Sequence, residues 1–324
     1  MSHRVTKAEF TASIYRALMA QASLNEEEID GMRLVQMMSG ILVETLLLFD
    51  DPDDGLEASY ARLAELLDTE PAEGRLGSLA LPPAYIIDYE TEHGRAVAKN
   101  LFEEWLSCGY EFHQLVLFVV HNIIVRMEQS GQSRAEVFRL FIECTNRCMA
   151  YEIAAQELCD IVIDKMVSNL GWSLMECVSA LGASSGRALA LSQDACSLFS
   201  IPSVPDKLDQ VSYVMTQEAV RLGVPAGTDW RFGLAANDCH VSAPFELIDP
   251  LEGVCQELFQ AIHLTGYVNQ SVAYAKAAGR MLAIAAGGEE PEIEPVIAKP
   301  LAMGAMTDTY KTVCQVGREG MLSM

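Results

Sequence analysis

The chain has 324 residues, half of them apolar, and carries 45 acidic against 22 basic side chains, a formal net charge of −23. An apolar share that high, with 21% charged residues, describes a core-forming protein and excludes disorder. The acidity disfavours nucleic acid and anionic membrane surfaces, which are met by clustered Lys and Arg, and favours a partner with a basic surface.

Residues 6–20 read as a first helix, with Thr6 as cap, Glu9 three residues on, and Phe10, Ile14, Ala17 and Leu18 on one face. A second helix starts after Asn25, with Glu26, Glu27 and Glu28 complementing the positive end of its dipole, and runs to Phe49. The turn from Asp50 to Gly55 ends it, and a shorter helix follows over 56–67. Residues 68–90 hold Pro71, Gly74, Gly77, Pro82 and Pro83 and form a loop.

Two long helices are then expected, at about 93–129 and 133–169, broken at Gly131 and packed as an antiparallel hairpin. From 170 to 250 the pattern is choppier, with Leu-Gly pairs at 170–171, 181–182 and 222–223 that each read as a helix stop. Residues 252–286 read as one long Ala-rich helix interrupted by Gly266 and Gly279. Residues 287–295 are an acidic extended linker, and 301–324 a Met-rich helical tail able to dock on its own domain or on a neighbour.

The expected fold is therefore all-α, with long antiparallel helix pairs and an extended C-terminal arm. The expected organisation is an N-terminal helical region at 1–70, a loop at 71–90, a main helical domain at 91–288, a linker at 289–300 and an arm at 301–324. Met1–Lys7 has no apolar core behind its basic residues, so no signal peptide is expected. The strongly apolar run 115–125 contains His121 and Asn122 and is too short to span a membrane. Nine scattered cysteines without a Cys-x-x-Cys pair point to a reducing, cytoplasmic setting.

The sharpest local feature is the turn with Asp50, Asp51, Asp53 and Asp54, where four carboxylates could hold a hard cation such as magnesium. An EF-hand loop is excluded, because Pro52 and Ala61 stand where ligands are needed. Asp50, Asp51 and Asp54, after the apolar run Leu47-Leu48-Phe49, form Asp-Asp-x-x-Asp. This resembles the aspartate-rich motif of class I terpene and prenyl synthases. Asn237, Asp238, Ser242 and Glu246 resemble the family's second motif with one residue too many, and Pro52 and Pro244 interrupt the two motifs. The resemblance implies a magnesium-dependent enzyme acting on isoprenoid pyrophosphates, with Asp50, Asp51 and Asp54 as metal ligands. Taken by their chemistry alone, the same residues are a solvated acidic turn.

Gly182-Ala183-Ser184-Ser185-Gly186 matches Gly-x-Ser-x-Gly, with His240 and His263 downstream, but a nucleophile elbow needs a strand before the serine, and 173–181 reads as helix. The same stretch admits a helix-turn-helix, with a turn at Gly182 and Arg187 as the one cation on its second helix. Metal-ligand spacing is weak: Glu90 and His93, Cys144 and Cys148, and His113 and His121 each make one isolated pair. Glu157, Asp160 and Asp164 form a carboxylate stripe that reads as a solvated face.

No phosphate-binding loop is present. The leading expectation is a non-catalytic, acidic helical protein that acts through protein–protein contact as an assembly component, adaptor or inhibitor, and forms a homo-oligomer. No catalytic, cofactor or metal residue is assigned in that reading. The 14 acidic and 2 basic side chains in 25–73 and the Met-rich tail motivate it. The alternatives are the magnesium-dependent enzyme and a helix-turn-helix DNA-binding regulator.

Overall fold

A helix that is small or apolar around most of its circumference tends to lie inside a protein, and the segment Tyr267–Ala286, with few polar residues among its alanines and aliphatics, is such a helix. In the computed structural model it is buried without a break from Asn269 to Leu282. The structure describes residues 40, 41, 44, 150–192, 204–224, 243–262, 264, 266–286 and 295–322. The chain divides into two compact units, 1–79 with 88–150, and 80–87 with 151–324. Of the first unit, Gly40, Ile41, Glu44 and Ala150 are described, and all four are helical and buried.

The second unit contains six described helices. We number them α1 (151–170), α2 (Leu174–Ser192), α3 (Val204–Arg221), α4 (Pro244–Ala261), α5 (Tyr267–Ala286) and α6 (Pro295–Leu322). No strand occurs among the described residues, and the fold is all-α. No described helix is long and apolar enough to cross a membrane.

In α1 the buried residues Tyr151, Ala154, Ala155, Leu158, Cys159 and Val162 recur at helical spacing. Its C-terminal part widens into a π-helix at Val162–Val167, and Gly171, with φ of 71°, ends it. α2 opens with a reciprocal cap. The Ser173 hydroxyl accepts from the Glu176 backbone N–H, and the Glu176 carboxylate accepts from that of Ser173.

α3 buries Val211, Val214, Met215, Glu218 and Ala219 along one stripe. It stops in a Schellman turn at Gly223, whose φ is 104°. There the Val224 N–H donates to the Ala219 carbonyl and the Gly223 N–H to that of Val220. α4 begins with Pro244 in its first turn, where the missing N–H costs nothing. It buries Leu247, Ile248, Leu251, Cys255 and Phe259.

α5 packs against α2, α3 and α6, and α2 in turn packs against α6 and α4. Such close packing needs small residues. A Cβ on Gly182 would sit 2.5 Å from the Ala302 carbonyl oxygen, and one on Gly186 would collide with the Met306 carbonyl. On α5, a Cβ on Gly279 would lie 2.5 Å from the Met215 carbonyl oxygen of α3. Across the α2–α5 seam, the Ser185 hydroxyl donates to the Ser271 carbonyl and the Ser271 hydroxyl to the Ser185 carbonyl.

Three sequence expectations change. Leu181-Gly182 does not stop a helix, because α2 runs unbroken through Gly182 and Gly186 and uses their missing side chains to approach α6. Residues 252–286 are two helices, α4 and α5, separated near Gly266, whose φ of 94° turns the chain. Gly279 is a contact point rather than an interruption. The C-terminal helix starts at Pro295, within the stretch assigned to the linker. It packs on α2 of its own chain, burying Ala298, Leu301, Ala302, Ala305, Met306 and Tyr310.

These contacts set opposite outcomes for two helical glycines. Gly186→Ala is expected to lower the unfolding free energy by about 1–3 kcal/mol, because the new methyl meets backbone that must move. Gly253→Ala, at a site with open space around it, is expected to raise it by about 0.5–1 kcal/mol. Equilibrium urea unfolding of the two variants checks both signs.

Candidate functional site

α5 places Lys276 and Arg280 on one face, four residues or about one turn apart, inside the unit. Neither can stay charged there without partners. α1 supplies Glu152 and Gln156, and α3 supplies Glu218 and Arg221. Both carboxylates are fully buried, Lys276 is 2% exposed and Arg280 9%.

The Lys276 ammonium donates to Glu152 Oε1 at 2.9 Å and lies 3.7 Å from Glu218 Oε2. Arg280 spans both acids: Nε donates to Glu218 Oε1 at 2.8 Å, Nη2 pairs with Glu152 Oε2, and Nη1 donates to Gln156 Oε1 at 2.9 Å. Arg221 closes the cluster from the side, with Nη2 2.7 Å from Glu218 Oε1 and 3.7 Å from Glu152 Oε2.

Burial, and Glu152 beside it, push the Glu218 carboxyl up. Arg221, Lys276 and Arg280 together outweigh them and hold it well below the usual carboxylate range. Burial works against the Arg280 charge, but Glu152 and Glu218 raise its pKa above the ordinary value. A carboxylate held ionised and closed to solvent does not deliver protons to a substrate. What the cluster does is tie three helices into one register. On α6, burial pulls the Lys299 ammonium down to about 6.

The buried thiols are equally unreactive. Burial pushes Cys159 and Cys177 up to about 12 and Cys255 to about 11. The Cys159 thiol points to the Ala277 carbonyl at 3.4 Å.

A second polar feature opens to the surface. Between α2, α4 and α5 lies a cavity of about 30 Å³ with Ser184, Ala188, Ile248, Gln256, Gln270 and Tyr274 in its wall. That is space for about two water molecules. Arg187 and Glu252 also line it and form an ion pair at 2.8 Å. Leu191 and Tyr267 form its apolar rim. The Ser184 hydroxyl is enclosed and has no hydrogen-bond partner among the described residues.

The sequence motifs fare unevenly against this geometry. Ser184 and Ser185 lie buried in the middle of a continuous helix with no strand before them, so the nucleophile-elbow geometry is absent. The turn that a helix-turn-helix needs at Gly182 is likewise absent, and Arg187 is engaged with Glu252. Glu157, Asp160 and Asp164 are exposed, and Asp160 accepts from the Gln156 amide. No group of three metal-ligating side chains forms among the described residues.

Glu246 is exposed on α4. Asp50, Asp51, Asp53, Asp54, Glu90, His93, His113, His121, Cys144, Cys148, Asn237, Asp238, His240, Ser242 and His263 lie outside the described residues.

The ion cluster was not anticipated. Its signal in the sequence is Lys276 and Arg280, one turn apart, as the charged residues of a helix otherwise made of small and apolar residues with Asn269 and Gln270 in its first turn, and Glu152 amid Met149-Ala150-Tyr151 and Ile153-Ala154-Ala155. Which acid meets which base is not encoded in any local spacing.

The chain matches no protein-family model, and no curated protein or solved structure is significantly similar to it.

Glu218 fixes a pH dependence. Its folded pKa lies below the ordinary 4.5, so the stability it contributes is present above that pH and lost as pH falls further. Lys299 acts on the alkaline side. Between about 6 and 10.5 the unfolded chain binds its proton and the folded chain does not, so stability rises with pH there. Urea unfolding across pH is expected to show both slopes. Glu218→Gln should flatten the acid limb and cost about 3–5 kcal/mol near neutrality by leaving buried cations short of a partner. Lys299→Met should flatten the alkaline slope.

The thiols give an independent check on burial. Cys314 is half-buried, whereas Cys159, Cys177 and Cys255 are enclosed. Brief iodoacetamide labelling at mildly alkaline pH, read by peptide mass mapping, should modify Cys314 and spare the other three until urea is added.

Proposed function

We propose that the protein acts by binding another protein and catalyses no reaction of its own. The observation that carries this reading is where the second unit keeps its chemistry and where it keeps its exposed apolar surface. Its acids, bases and thiols of unusual character are enclosed. Among the described residues, Leu191 and Tyr267, 41% and 46% exposed, line one cavity, while Phe245, Leu170, Leu222, Ile284 and Val316 are the other exposed large apolar side chains.

Leu191 and Tyr267 share the rim of the cavity, and Phe245 lies one turn before Ile248, which lines it. Single exposed apolar residues are ordinary, but neighbouring ones mark binding surfaces. Aromatic residues flanked by an arginine are the composition that dominates binding energy at interfaces. A cavity with room for about two waters is far smaller than the pockets that enclose small-molecule substrates.

The test uses the full chain, tagged and purified from cells, as wild type and as the double variant Leu191→Asp/Phe245→Asp. Quantitative mass spectrometry should show a partner at near-stoichiometric level with wild type and at least tenfold less with the variant. Circular dichroism and the urea midpoint should be unchanged. A native mass spectrum of the same wild-type sample also reads self-association. An identical partner profile for both proteins would sink the proposal. So would stoichiometric retention of magnesium or pyrophosphate, which would instead favour an enzyme using Asp50, Asp51 and Asp54.

A further inference from the structure

We draw no further inference here: the strongest candidate, the cavity of about 30 Å³ between α2, α4 and α5 rimmed by Leu191 and Tyr267, belongs to the surface already proposed for protein binding, and nothing in the structure shows what covers it.

Discussion

The ion cluster on α5 is the constraint that the second unit is built around. Desolvating a Lys and an Arg is offset only by close, correctly aimed acids, and here Glu152 and Glu218 come from two other helices. The match fixes the vertical register of α1 and α3 against α5. A slip of one turn along either helix would carry a carboxylate about 5.4 Å from its partner. Replacing the whole set by apolar residues of similar volume would not necessarily lower stability. What the charges add is discrimination among packings that apolar stripes alone would leave close in energy.

Small residues are the other half of that arrangement. α5 can be enclosed on every side because Ala273, Ala275, Ala277, Ala278 and Gly279 let neighbouring backbones come near. α2 repeats the device toward α6 with Gly182 and Gly186 one turn apart. Backbones that approach this closely exclude both water and ligands, and the same closeness strengthens each ion pair by lowering the local dielectric. The groups with the most perturbed protonation are enclosed between helices, whereas Leu191 and Tyr267 stay exposed beside the small cavity between α2, α4 and α5.

The helices were legible in the sequence wherever apolar residues recur at helical spacing or a local signal marks an end. Gly171 and Gly223 both follow Leu and both take positive φ, as a Leu-Gly stop requires. Gly182 also follows Leu and does not stop anything. Glycine is suited to a left-handed turn and to close backbone contact for the same reason, the missing Cβ, and the two uses look identical along the chain. Ser184 and Ser185 show the same ambiguity. The five-residue match to a nucleophile motif says nothing of whether a strand precedes it, and here a helix does.

Composition and periodicity determined that this chain is helical, has a substantial core and carries a strongly acidic charge, because those properties depend on residue type and near-neighbour spacing. The hydrogen bonds from Lys276 and Arg280 to Glu152 and Glu218 bridge 62 to 128 positions. The packing of the C-terminal helix on α2 and the meeting of Ser184, Leu191 and Tyr267 around one cavity likewise join distant parts of the chain. Those were decided by the tertiary structure alone. Long-range matching depends on which helices become neighbours, and that is settled by the joint packing of all of them rather than by any segment read by itself.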